Sequence, residues 1–262
     1  MKTRFFRIAP TPSGFIHAGN KANFRLVAER CREADGVLRL RIDDLDRQRV
    51  RPEYLQSIFD ALRELEISPE LGPQTPAEHE AHFSQTLRLP RYGEVLHKLV
   101  WGKHVFACRC SRAQMTAESR NGQYSGACLH RNIPLDAPDV SWRLRMPEDA
   151  ESHFYDETGG LETANLFALN PYFVVRRRDG LPAYHIASLA DDVDYGTTDI
   201  IRGEDLREST FSQAYLAALL EFETFRNIHF EHHPLLLGPD GQKLSKSAGA
   251  KAIGKAGNLT DF

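Results

Sequence analysis

The chain has 262 residues, 41% hydrophobic and 26% charged, with a formal net charge of −3. That is enough apolar material for a packed core but too little positive charge for a protein that coats nucleic acid, so any RNA contact must come from local patches. No apolar run approaches the ~20 residues that span a bilayer, and MKTRFFRIAPTPSG lacks a signal-peptide segment, which predicts a cytoplasmic protein with no membrane attachment.

RFFRIAP reads as a strand closed by Pro10. Residues 20–36 read as a helix with Phe24, Val27, Ala28 and Cys31 on one face and Gly36 as its stop. Cys31 is expected to be a small packing residue. VLRLRID is a second strand. PEYLQSIFDALRELEI is a second helix, with Pro52 in its first turn and Leu55, Ile58, Phe59, Leu62 and Leu65 as its apolar stripe. This β-α-β-α order predicts an α/β fold built on a parallel, doubly wound sheet, with ligands at the C-terminal ends of the strands.

Residues 69–90 are rich in Pro, Gly and polar side chains and read as a connector. RYGEVLHKLVWG is a helix and HVFAC a short strand. Residues 108–167 read as irregular, with SWRLRM as one strand. From 171 the pattern is strand, turn at Asp179-Gly180, then helix. TTDIIRG is a further strand, STFSQAYLAALLEF a helix capped by Ser209, and HFEHHPLLLG leads into the C-terminal lysine loop. The expected organisation is a nucleotide-binding sheet from 1–70 and 171–262, with 71–170 inserted between its halves.

Two segments carry phosphate chemistry. In RIAPTPSGFIHAGN, a strand runs through a Pro- and Gly-containing turn into a helix N-terminus, where backbone N–H groups favour an anion. His17 lies at that turn, and Gly19 allows close approach of a nucleotide. Near the other end, GQKLSKSAG places Lys243 and Lys246 as mobile point charges in a loop. Arg176-Arg177-Arg178 and the lysines from Lys243 to Lys255 are local basic runs that read equally well as solvated faces. Cys108, Cys110 and Cys128 cluster in sequence. In a cytosolic chain this suggests a metal, and three thiolates suit Zn²⁺.

The pairing of HAGN with KLSKS resembles the HIGH and KMSKS signatures of class I aminoacyl-tRNA synthetases. RIAPTPSGFIHAGN, LRLRIDDLD, VVRRRDGLPAYHIASLADD and DIIRGEDL, in that order, resemble segments of the glutamyl-tRNA synthetase catalytic domain. Only 15 residues follow Ser247. A helical anticodon-binding domain is therefore not expected, and the chain is similar to the shortened glutamyl-queuosine tRNA(Asp) synthetase family. That resemblance implies a class I Rossmann-like catalytic domain with a zinc-containing insertion resembling an acceptor-binding subdomain. It implies ATP-dependent activation of glutamate without tRNA, and transfer of the glutamyl group to queuosine in the anticodon loop of tRNA(Asp). The implied partners are glutamate, ATP with Mg²⁺ and the anticodon stem-loop, bound by a monomer. The catalytic part of an ordinary glutamyl-tRNA synthetase and an adenylate-forming ligase for a small-molecule acceptor remain as alternatives.

The same resemblance assigns roles. His17, Lys243 and Lys246 would act on the phosphates, with Gly19 and Asn20 beside ATP. Arg7 and Arg202 would hold the glutamate side-chain carboxylate, where a guanidinium can bind two oxygens. Tyr184 would add a hydroxyl, Asp43 would accept the α-ammonium, and the backbone of Arg7, Ile8, Ala9, Pro10 and Thr11 would line the pocket. The zinc would be structural, held by Cys108, Cys110, Cys128 and either Tyr124 or His130. Asn20 stands where the usual signature has a second His, and Asp43 where glutamate enzymes show the longer Glu.

Overall fold

The structure, a computed structural model, describes residues 3–117 and 123–235. Two sheets organise it. The larger has six strands in the order β2 (Val37–Leu40), β1 (Phe5–Ile8), β8 (Asp199–Gly203), β9 (His229–His233), β5 (Glu151–Asp156), β6 (Leu161–Asn165). All its neighbours pair in parallel except the β5–β6 edge hairpin. The smaller sheet is antiparallel, in the order β3 (Val105–Cys108), β4 (Ser141–Leu144), β7 (Val174–Arg176).

The expected division at 70 and 170 is not the division of the sheets. β5 and β6 lie inside the expected insertion yet extend the main sheet, and β7 lies outside it yet closes the small one. The irregular reading of 108–167 missed both strands of the hairpin. β5 turns only Ser152 and Phe154 inward, and the polar Ser152 is accommodated because its hydroxyl donates to the Phe211 carbonyl at 2.7 Å. β9 was read as a lead-in because its one fully apolar inward residue is Phe230 among histidines.

The helix after β1 spans Ala18–Glu33 and buries Phe24, Val27, Ala28 and Cys31. The next, Pro52–Glu64, buries Leu55, Ile58, Phe59 and Leu62, with Leu65 partly covered just beyond its end. Ser209 caps nothing; it sits inside the Arg207–Leu219 helix, which continues from a 3-10 turn at Glu204–Leu206. The connector at 69–90 is also ordered. Its residues 69–72 run along the free edge of β2, where the Leu40 amide donates to the Leu71 carbonyl at 2.8 Å. Gly72 has φ +97°, and a Cβ there would stand 2.0 Å from the Leu40 oxygen, so only glycine fits. No helix among the described residues is long and apolar enough to cross a membrane.

Candidate active site and cysteine cluster

The chain leaves β1 toward a helix on one side of the sheet, and β8 lies on the other side of β1. The reversal of strand order at β1–β8 opens a crevice at the C-terminal ends of these strands, where doubly wound sheets bind ligands. A cleft of about 710 Å³ occupies this position. Arg7, Ala9, Pro10 and Thr11 line it from β1 and the turn that follows. His17, Gly19 and Asn20 line it from the helix start, and Arg202 and Tyr184 from β8 and the Tyr184–Asp194 helix. Ile8 does not line it; its side chain is fully buried in the core.

HAGN builds the helix start. The His17 ring accepts from the Gly19 N–H at 3.1 Å, and the Asn20 side-chain oxygen accepts from the His17 N–H at 3.2 Å. This is a capping box made with imidazole and amide. A Cβ on Gly19 would come within 3.1 Å of the His17 ring, so the glycine lets the ring fold back. With Nδ1 accepting, the neutral ring carries its proton on Nε2.

Behind the cleft lies a buried charge network. Asp192, from the Tyr184–Asp194 helix, receives Arg7 Nε at 3.2 Å and Arg41 Nη1 at 2.8 Å. Burial alone would raise the Asp192 carboxyl, but Arg41 and then Arg7 hold it below the usual carboxylate range. Arg41 also forks onto Asp43, at 2.7 and 3.1 Å. Asp43 is therefore turned to Arg41 and is not among the residues lining the cleft; its backbone N–H holds the Pro10 carbonyl at 2.9 Å. Burial raises its carboxyl to about 6 despite that pairing. Asp44 is fully buried and receives Ser84 Oγ and the Gln85 N–H at 2.7 and 2.8 Å, with His79 Nε2 at 3.1 Å. These partners come from short helical turns in the segment that had read as a connector.

Arg202 differs from Arg7. It is 4% exposed; its guanidinium donates only to neutral oxygens, Thr210 Oγ1 at 2.6 Å, Gln213 Oε1 at 2.9 Å and the Tyr184 hydroxyl at 3.3 Å, and lies 5.4 Å from the centre of the Phe230 ring. Its Nε has no partner, and it makes no ion pair among the described residues. Burial lowers its pKa, although the nearby Tyr184 and Asp192 favour the charge, and Arg7 adds repulsion. Burial and Arg202 also push His185 to about 4 and His232 to about 3, so neither shares the positive charge near neutrality. A buried cation without a carboxylate is costly and is relieved by an anion that arrives from outside. Thr210, Gln213 and His232, whose Nε2 meets Thr210 Oγ1 at 2.7 Å, were absent from the sequence reading, as was Arg49 on the cleft rim. Two consecutive aspartates on a helix with Ile186, Leu189 and Ala190 buried were the available signal for Arg41, because carboxylates on a buried face require cations.

The Cys108, Cys110 and Cys128 sulfurs lie within 4.8 Å of one another, all buried. The Tyr124 hydroxyl joins them, 3.3 Å from Cys108 Sγ and 3.7 Å from Cys110 Sγ, and accepts from the Cys128 N–H at 3.0 Å. His130 is exposed and outside the group. Of the two candidates for a fourth ligand, the fold thus brings in Tyr124. Three thiols and one oxygen converging at this spacing fit a tetrahedral Zn²⁺. Burial would raise Cys128, but hydrogen bonds from Tyr124 and the Arg109 amide lower it to about 7. Lys243 and Lys246 lie outside the described residues.

The chain matches the family model described as tRNA synthetases class I (E and Q), catalytic domain, over residues 2–256. It is 39% identical over 241 residues to a glutamyl-Q tRNA(Asp) synthetase of Pseudomonas fluorescens, covering 92% of this chain and 75% of that protein. A glutamyl-Q tRNA(Asp) synthetase of Ralstonia nicotianae is 33% identical over 263 residues, covering 95% of this chain and 79% of its own. In fold, the chain is similar to the crystal structure of a glutamate-tRNA synthetase from Elizabethkingia anophelis, with TM-score 0.72 and 24% identity over 94% of this chain. It spans about half the length of that synthetase, 53%.

The charge network yields a prediction. Asp192→Asn keeps the side-chain shape but leaves Arg7 buried without its ion pair and Arg41 with Asp43 alone. It should cost about 3 kcal/mol in urea unfolding; a loss below about 1 kcal/mol would contradict the network.

Proposed function

The chain belongs to the glutamyl-Q tRNA(Asp) synthetase family of class I tRNA synthetases, which are ligases, and from that premise we propose that it activates glutamate with ATP in the absence of RNA and then transfers the glutamyl group to queuosine in the anticodon loop of tRNA(Asp). The observation that carries the amino-acid half is Arg202, a buried guanidinium with neutral partners only. A glutamate side-chain carboxylate supplies the missing anion; a glutamine amide does not. Arg7, steadied by Asp192, faces the same cleft and completes the clamp. Tyr184 accepts from Arg202 and keeps its own proton to donate to the substrate.

In the first step the glutamate α-carboxylate attacks the α-phosphate of ATP, and pyrophosphate leaves. In the second, a hydroxyl of the queuosine cyclopentenediol attacks the activated carbonyl, and AMP leaves. Neither step needs a covalent nucleophile from the protein; both need positioning and positive charge. His17 Nε2–H, on the capped helix start, meets the phosphates, with Gly19 and Asn20 against the nucleotide. Lys246 and Lys243 neutralise the departing pyrophosphate, and Mg²⁺ accompanies ATP. Asp43 takes the α-ammonium by opening one of its two bonds to Arg41, which retains Asp192 as a partner.

A structural zinc in the cysteine cluster, held by Cys108, Cys110, Cys128 and Tyr124, would pin the Cys knuckle onto β3 without taking part in the reaction. The support is the convergence of these four side chains and the exposure of His130.

Glutamate-dependent ATP–pyrophosphate exchange should proceed without RNA, and radioactive glutamate should label tRNA(Asp) only when it carries queuosine. An absolute requirement for tRNA, or label confined to the 3′ end of tRNA(Glu), would contradict the reading and favour an ordinary glutamyl-tRNA synthetase. Metal analysis should find one zinc per chain, lost in Cys108→Ser, weakened in Tyr124→Phe and retained in His130→Ala. Metal-free purified protein, or loss of zinc in His130→Ala with retention in Tyr124→Phe, would contradict the ligand set.

A further inference from the structure

Arg7 and Arg41 are buried with carboxylate partners, whereas Arg202 and Arg143 are buried with no ion pair among the described residues. Arg202 belongs to the active-site cleft. Arg143 does not. It is 6% exposed, donates Nη1 to the Tyr172 carbonyl at 2.9 Å, lies 4.0 Å above the Tyr124 ring, and leaves its Nε without a partner. It lines a second cavity of about 630 Å³, shared with Ser141, Asp139, Asp179, Arg177 and Arg178.

Charge is segregated around this groove. Residues 103–146 and 174–182, which hold the small sheet and its Cys knuckle, contain ten Lys and Arg against four Asp and Glu. That segment carries +6 in a chain of net charge −3, so the rest carries −9. A basic lobe on an acidic protein is the electrostatic footprint of a polyanion partner. The turn after β7 connects the groove to the cleft. Arg177 reaches Asp46 at 3.7 Å, three residues before Arg49 on the cleft rim, and Arg178 donates to the Arg109 and Cys110 carbonyls at 3.1 and 2.9 Å. One turn therefore touches both the segment leading to the cleft rim and the knuckle.

We propose that this groove holds the phosphate backbone of the RNA stem-loop whose acceptor base enters the cleft, an assignment that rests on the function proposed above. Guanidinium forks suit phosphate oxygens, and Arg143 supplies a desolvated charge at the groove floor. Asp179, 2.6 Å from Arg177, and Asp139 offset part of the charge in the free protein.

The test uses the full chain and an unmodified RNA copy of the tRNA(Asp) anticodon stem-loop, with binding followed by fluorescence anisotropy across a salt series. RNA-free pyrophosphate exchange is measured in parallel. Arg177→Glu should weaken RNA binding about tenfold near 0.1 M salt and lower the salt slope by about one, leaving exchange within about twofold. Arg63→Glu, on the exposed face of the Pro52–Glu64 helix, makes the same charge change away from the groove and should bind RNA like the wild type. Equal binding by the two variants, or no binding by the wild type, would overturn the groove. Exchange reports on the proposed adenylation and anisotropy on the groove, so the two fail separately.

Discussion

Asp192 is buried between Arg7 and Arg41, and these contacts tie the Tyr184–Asp194 helix to β1 and to the residue following β2. Removing two guanidinium groups and a carboxylate from water costs more than most surface contacts return, so such a cluster is tolerated only when its geometry is satisfied throughout. Ser188 and Thr197 complete it from the same helix and the turn that follows. The consequence is positional. Arg7 cannot swing away from the cleft floor without taking from buried Asp192 one of its two cations, so one half of the proposed anion clamp is held in place before any substrate arrives.

The other half is built with the opposite electrostatics. Arg202 is oriented by a hydroxyl, an amide oxygen and a phenol, none of which cancels its charge. The cleft therefore holds a rigid cation whose desolvation is already complete, and an incoming carboxylate gains the full benefit of the low-dielectric surroundings. The basic lobe repeats the idea on a larger scale. Its charge sits on the small sheet and the segments that flank its strands, and Arg178 fastens the turn after β7 to the Cys knuckle.

Much of this was legible in the sequence where local pattern and tertiary role coincide. Phe24, Val27, Ala28 and Cys31 share a helix face by spacing alone, and His17, Gly19 and Asn20 fall at a turn that any strand–helix unit would place beside a ligand. Legibility fails where partners are distant in sequence. Arg41 and Asp192 are 151 residues apart, so Arg41 reads as an alternating strand residue and Asp43 as a free acceptor until the fold brings them together. It also fails where a polar residue is satisfied by tertiary contact. Ser152 in β5 and His232 in β9 break the apolar alternation that marks a strand, and His79, Ser84 and Gln85 read as surface connector although they enclose Asp44. The Tyr124–His130 ambiguity was one of spacing; packing places the ring of Tyr124 beneath Arg143 with its hydroxyl at the thiols and leaves His130 exposed.

The central claim is that Arg202 is a buried cation completed only by the substrate carboxylate. Replacing it with methionine, an apolar side chain of similar reach, separates this from a structural role. Urea unfolding of wild type and Arg202→Met should be compared with and without saturating glutamate. The account predicts that the variant is as stable as the wild type, or more so, without ligand, and that glutamate, which stabilises the wild type through binding linkage, leaves the variant unchanged. A variant that loses about 3 kcal/mol without ligand and is still stabilised by glutamate as fully as the wild type would contradict it.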